Sequence, residues 1–171
     1  MIKDLADLVV LQEIDNRIYE LERSKEEFPN DVLDLEKAVD DQSKLVESID
    51  EKLDQVSKEK ITTKDQIEQA NLALEKSSDR LNSIATNREY DAVHTEIESQ
   101  KSVVSSGEKK LINLDADEEG LLSQKEENEK ILADTKESND PKINELKERI
   151  ASIDSDIAKV MKERKKVVSK I

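Results

Sequence analysis

Ile84-Ala85-Thr86-Asn87-Arg88-Glu89-Tyr90 is the stretch on which the fold of this chain turns. Thr86 and Glu89 have the S/T-x-x-E spacing of a capping box. In that motif the threonine hydroxyl accepts from the third backbone N–H of a new helix, and the glutamate reaches back to the N–H of the cap. A strict heptad pattern ends at this stretch and a second one begins after it. The reading is the tip of a long antiparallel helical hairpin.

Working back from the tip, the heptads run from Val32 to Ile84. The a positions are Val32, Val39, Val46, Leu53, Lys60, Ile67, Leu74 and Leu81. The d positions are Leu35, Gln42, Ile49, Val56, Thr63, Ala70, Ser77 and Ile84. Twelve of these 16 are apolar against 6 of the other 37 residues, a contrast sustained over enough heptads to mean a coiled coil. Gln42, Lys60, Thr63 and Ser77 are polar seam members, either setting register or lining a ligand pocket. Earlier still, Leu5, Leu8, Leu11, Ile14, Ile18 and Leu21 form an amphipathic stripe.

Forward from the tip, the returning seam reads Tyr90, Val93, Ile97, Gln100, Val104, Gly107, Leu111, Leu114, Glu118, Leu121, Lys125, Asn128, Leu132 and Thr135. Only 8 of these 14 are apolar, and two glycines, Gly107 and Gly120, weaken the helix, so this arm is expected to be the softer. The last stretch has the best seam: Ile143, Leu146, Ile150, Ile153, Ile157, Val160, Arg164, Val167 and Ile171. It is offset from the seam before it by four residues, a stutter.

The prolines bear on topology. Pro29 lies 56 residues before Ala85 and Pro141 lies 56 after it, so both fall at one level of a chain folded there. A parallel homodimer, the rival arrangement, would make that symmetry an accident. Proline lacks an N–H and disfavours helix in the residue before it. Breaks or kinks are therefore expected near Pro29 and Pro141, with Asn30 or Asp31 capping a restart after the first and Asp140 capping one at the second. The fold class is all-α: one coiled-coil hairpin over 1–171, with arm one at about 1–84, the tip at about 85–89 and arm two at about 90–171. An antiparallel seam pairs a with d. Near the tip partner numbers sum to 174, as in Leu81–Val93, Ile84–Tyr90 and Ile67–Gly107. Below the prolines the stutter is read as shifting the sum to 171, as in Ile14–Ile157, Leu11–Val160 and Asp7–Arg164.

Composition agrees with a narrow seam. Charged residues make up 41% and aromatics 2%, with no Trp, which leaves too little bulk for a globular core of this length. The net charge of −14 repels phosphate and anionic membranes and favours basic partners. No apolar run approaches the ~18 residues of a membrane span, and the N-terminus lacks a signal-peptide pattern, so a cytoplasmic protein is expected. There is no Cys, hence no disulfide, thiol nucleophile or cysteine metal site.

Little of the sequence carries chemistry. The single His94 has no second histidine to complete a metal site and reads as a surface residue. Gly107 and Gly120 are too isolated to cradle a phosphate. No enzyme and no cofactor are expected. Two surface features remain. At the tip, Asn87, Arg88, Glu89 and Tyr90 either close the seam or grip a partner. Near the C-terminus, Lys159, Lys162, Arg164, Lys165, Lys166 and Lys170 stand with one acid, Glu163, making residues 159–171 +5 against −19 for the rest. That patch either matches a helix C-terminus and the acidic first helix, with its Asp4, Asp7, Glu13 and Asp15, or binds RNA or a protein.

Two motifs resemble a known family. Leu11-Gln12-Glu13-Ile14-Asp15, with Ile18 and Leu21 beyond, is similar to the LQxID…I…L opening of the bacterial coiled-coil, C4-type zinc-ribbon family. Thr86-Asn87-Arg88-Glu89-Tyr90-Asp91-Ala92, followed by Glu96-Ile97-Glu98, resembles that family's TNKEYxAL…EIE signature, and Phe28-Pro29 falls where the family tends to place a proline. The resemblance implies the family's N-terminal coiled-coil hairpin. The zinc ribbon, with its two CxxC pairs, is absent from this sequence, so neither zinc nor any ribbon function carries over. It further implies a bacterial cytoplasmic adaptor or chaperone-like protein. Characterised relatives are linked to flagellar gene control, the nitrogen-type alternative sigma factor, flagellin messenger RNA and type III secretion parts. The expectation is a non-enzymatic adaptor for a protein partner, monomeric or weakly homodimeric. An RNA-binding regulator using the basic patch and a structural spacer or parallel homodimer are the alternatives.

Overall fold

The computed structural model describes residues 2–170, with side chains described from 5 to 170. It consists of two helices, α1 (Ile2–Leu81) and α2 (Asn87–Val168), and no strand among the described residues. The chain is a helical hairpin, and it divides into two compact units: Leu45–Glu129, which holds the connection between the helices, and Met1–Lys44 with Lys130–Ile171.

In the unit of 45–129, the connection covers residues 82–86, earlier than the tip read from the sequence, so Arg88, Glu89 and Tyr90 form the first turn of α2. α1 ends by tightening: the N–H groups of Asn82 and Ser83 donate to the carbonyls three residues back, Asp79 and Arg80, at 3.2 and 3.1 Å. The Ser83 hydroxyl also donates to the Arg80 carbonyl at 3.1 Å. The turn uses no residue of positive φ, so it needs no glycine. The seam buries Val46, Ile49, Ala70, Val93, Ile97 and Leu114 together with the polar Thr63 and Ser77.

The expected register holds here. A Cβ built on Gly107 would lie 2.6 Å from Cγ1 and 3.0 Å from Cδ1 of Ile67, the partner assigned to it. Gly107 is the space into which Ile67 packs, whereas Gly120 has nothing within 4 Å. The polar seam members behave differently from one another. Lys60 is 18% exposed and its Nζ bridges Asp115 Oδ1 at 2.7 Å and Glu118 Oε2 at 2.6 Å. Ser77 donates to Glu96 Oε2 at 3.4 Å. Thr63 is 1% exposed and its hydroxyl has no partner, the kind of orphan that costs roughly 1–3 kcal/mol.

The unit of 1–44 with 130–171 corrects two expectations. Neither proline breaks its helix: α1 runs through Pro29 and α2 through Pro141, with no restart and no cap at Asn30, Asp31 or Asp140. Each proline still forfeits one helical hydrogen bond and crowds the carbonyl four residues back. Both prolines are exposed, and so are Lys25 and Glu137, which carry those carbonyls, so water can take the orphaned oxygens. The seam is meanwhile continuous across each proline, with Phe28 half-buried and Val32 buried, and with Asn139 and Ile143 both buried. Burial on both sides holds the helix through the defect.

The second correction is register. Arg164 does not meet Asp7. Its Nε and Nη2 donate to Asp15 Oδ1 and Oδ2 at 2.6 and 3.5 Å. Arg17 pairs with Glu163 at 3.1 Å, Lys25 with Asp154 at 2.6 Å, and Val160 clusters with Ile14 and Ile18. Partner numbers toward the ends of the chain therefore sum to about 178, one heptad beyond the expected 171. The shift occurs at Asn139, 9% exposed, whose Nδ2 donates to the Leu35 carbonyl at 3.1 Å, a pair still in the 174 register. Asn139 and Ile143 follow one another in the seam at a spacing of four, so the stutter adds four residues to α2 rather than removing three. The Asp4 side chain and the Ile171 end of the seam lie outside the described residues.

Three outcomes follow from these contacts. Gly120→Ala should stabilise the chain by roughly 1 kcal/mol in urea unfolding, the helix propensity difference. Gly107→Ala should give no such gain, because its methyl meets Ile67; equal gains at both sites would contradict the packing. In double-mutant cycles Arg164 should couple to Asp15 and not to Asp7, and the coupling should shrink with added salt. The third concerns pH. The hydrogen bond from Lys60, and then its charge, holds the Asp115 carboxyl below the usual carboxylate range. The hydrogen bonds to Asp115 and Glu118 raise Lys60 above the usual lysine range. Asp115's contribution is complete above its unfolded pKa of about 3.9 and is lost as pH falls through the depressed folded value. Lys60's is complete below about 10.4 and is lost as pH rises through its raised value. Thermal midpoints should thus be flat between those limits, and Lys60→Met should make the fall below pH ~4 shallower.

Candidate functional site

Two groups of side chains stand out, one in each unit. The first lies at the start of α2. The Thr86 hydroxyl accepts from the Glu89 N–H at 3.2 Å, as the capping box requires. The Glu89 carboxylate accepts from Ala85 N at 3.4 Å, one residue before the N–H expected from the motif. Glu89 is also the acid of the first turn, where the helix dipole favours it. With Glu89 fixed in this way, its neighbours Asn87, Arg88 and Tyr90 project from a rigid turn, and all four are exposed.

Tyr90 does not close the seam. It is 51% exposed and its ring stacks on the imidazole of His94, with centroids 6.0 Å apart and planes 3° from parallel. The sequence reading placed His94 on the surface, which holds, but missed this pairing. The signal was present as i,i+4 spacing, which puts two side chains together on one helix face. Arg88, two residues before Tyr90 and therefore on a different face of the helix, has no ion pair among the described residues. The aromatic pair and the guanidinium thus stand on open helix surface, while the Glu89 carboxylate is committed to the cap.

The second group is the basic stretch of α2. It is smaller in effect than its composition suggests. Arg164 is spent on Asp15, whose hydrogen bond and charge raise the guanidinium's pKa further. Glu163 is taken by Arg17, and Lys159 sits 3.8 Å from Asp156 on its own helix. Lys162, Lys165, Lys166 and Lys170 are exposed and make no ion pair among the described residues. The acids of α1 thus reach only part of the patch, and four ammonium groups remain available to a partner.

Between the helices the surface is grooved and open. One groove in this unit, about 540 Å³, has Leu21 and Val160 at its floor and the Arg17–Glu163 pair at its edge. Among the described residues no three His, Cys, Asp or Glu side chains are grouped to hold a metal, and no helix is long and apolar enough to cross a membrane.

No protein-family model and no curated protein matches the chain. Its fold is similar to that of two solved structures. CT398 from Chlamydia trachomatis is matched with a TM-score of 0.79 at 17% identity, over 97% of this chain and 70% of that one. The HP0958 protein from Helicobacter pylori is matched with a TM-score of 0.66 at 14% identity, again over 97% and 70%. At such identities the likeness is one of fold: the same helical hairpin built from largely different side chains.

Proposed function

We propose that this chain is a non-enzymatic adaptor, a helical hairpin that presents charged helix surface to a protein partner in the cytoplasm. One observation carries the reading. The side chains that stand out chemically, Arg88, Tyr90, Lys162, Lys165 and Lys166, all lie exposed on helix surface, and the cations among them make no ion pair among the described residues. Such groups are suited to recognition, because nothing around them excludes water or holds a substrate. The similarity of Leu11–Asp15 and Thr86–Ala92 to the coiled-coil zinc-ribbon family makes a sigma factor, or a flagellar or secretion component, the partner to try first.

RNA binding is the second reading, favoured by Lys162, Lys165, Lys166 and Lys170, which make no ion pair among the described residues. Opposed to it is the acidic remainder of the chain, whose field repels phosphate. The full-length protein, immobilised and exposed to extract of its own cells, separates the two. A specific protein partner should stay bound after RNase treatment and between about 50 and 200 mM salt. It should be lost on Arg88→Glu with Tyr90→Ala, or on Lys165→Glu with Lys166→Glu. Capture that vanishes with RNase and falls steeply with salt would favour the RNA reading, and no specific capture at all would sink the adaptor.

A further inference from the structure

Most exposed large apolar side chains of this hairpin stand alone, as is ordinary for a protein surface. In the unit of 1–44 with 130–171 they do not. Leu5, Leu8, Val9 and Tyr19 on α1 are 64%, 49%, 52% and 65% exposed, and Met161 and Val168 on α2 are each 46% exposed. Leu5 and Leu8 recur at helical spacing on one face of α1. Asp15 is one heptad beyond Leu8 on that face, and Tyr19 is one turn beyond Asp15. Met161 and Val168 flank Arg164 on α2 at three and four residues. The Asp15–Arg164 bond fixes which sides of the helices look the same way, at 2.6 Å. Leu8 and Val168 therefore lie on the same side of the seam, and so do Tyr19 and Met161. Five of the six form one apolar face, with Val9 beyond its edge on the outer side of α1, while Val10, Leu33 and Ile131 fall outside it.

The edges of this face differ. Lys165 lies between Met161 and Val168 at four and three residues, Lys162 is one turn before it, and neither makes an ion pair among the described residues. Along α1 the corresponding edge is Gln12 and Asn16, both uncharged. The other side of the same seam is lined mostly by charge, with Glu20, Asp156 and Lys159 around the Arg17–Glu163 pair at 3.1 Å. One side of this unit is thus lined mainly by charged groups, and the other is left mainly apolar around the Asp15–Arg164 pair with a cationic rim on one edge.

We infer that this face is the docking site for an amphipathic helix of the protein partner, one whose apolar stripe is edged by Asp or Glu where it meets Lys162 and Lys165. The inference rests on the adaptor reading and gives that partner its chemistry. A third helix laid along the face completes a local three-helix bundle, and from Leu5 to Tyr19 at 1.5 Å per residue it needs about four turns. The cations select a carboxylate edge over a basic one. An anionic membrane would also meet lysines and apolar groups, but the rest of the chain is strongly acidic and repels it.

Selection from a displayed library of random 20-residue peptides on the full chain tests this. Enriched peptides should share apolar residues at i, i+3, i+4 and i+7 with Asp or Glu along one edge. Leu8→Ser with Val168→Ser should weaken them at least about 10-fold, with helicity by circular dichroism unchanged because neither side chain belongs to the buried seam. Lys165→Glu, which leaves the apolar groups in place, should turn the selected edge from acidic to basic. The inference is overturned by no enrichment, by peptides that bind the double variant as well as the parent, or by an edge indifferent to Lys165→Glu. It is equally overturned by self-association that Val168→Ser abolishes, or by binding of anionic phosphatidylserine vesicles to the same face. Any of these, with a protein still captured through Arg88 and Tyr90, leaves the adaptor reading intact; RNase-sensitive capture removes that reading instead.

Discussion

Each helix of this protein has a single neighbour, so about two residues in every seven can leave water and the rest cannot. Everything else follows from that restriction. The buried apolar set is made of Ile, Val, Leu and Ala, with no aromatic ring in it. Large rings would hold two helices apart, and the one close approach, Ile67 against Gly107, shows the opposite arrangement, a branched side chain set into a position that has none. A polar group entering the stripe must find its partner within it or go without. Lys60 reaches two carboxylates across the seam, while the Thr63 hydroxyl goes without.

The same restriction explains why the register was only half legible. A heptad pattern states which residues face the partner helix, but it is unchanged when one helix slides by seven. Near the connection, a short turn leaves no freedom to slide, and Ile67 meets Gly107 as expected. Beyond the stutter the freedom returns. Removing three residues and adding four are equivalent in a seven-residue count, so the pattern admits both 171 and 178. The adopted register gives Arg164, Arg17 and Lys25 the carboxylates of Asp15, Glu163 and Asp154. Exposed pairs of this kind add little stability.

The prolines misled for a related reason. Local rules place a break at Pro29 and at Pro141, and an isolated helix would break there. In the hairpin, a break would pull Phe28 and Val32, or Asn139 and Ile143, out of phase with their neighbours. A single lost hydrogen bond on the water side is the smaller penalty. Asn139 was hidden by the same local reading, since Ser-Asn-Asp-Pro looks like a loop, yet its amide bonds the Leu35 carbonyl across the seam. At the start of α2 the local rule succeeded, because a capping box is a local device: Thr86 and Glu89 satisfy nearby N–H groups without reference to the other helix. The stacking of Tyr90 on His94 lies between these cases, legible as a spacing but with no seam position to announce it.

A two-helix seam also changes what surface composition means. Each side of the seam is flanked by one row of residues from either helix, and charged side chains there shield the apolar floor from solvent. Arg17 and Glu163 do this on one side. On the other, the Asp15–Arg164 pair performs the same service at a single level, with apolar Leu8 and Val168 to one side of it and Tyr19 and Met161 to the other. Two helices have no further surface with which to cover that row. The exposed apolar residues of a globule can be left over from an overfull core, but here the core is a line, and residues off the line do not fill it. The halves of these side chains left in water do not hold α1 against α2, and they cost solubility in an otherwise highly charged chain. A contact that the hairpin does not itself contain is the physical account that fits that combination.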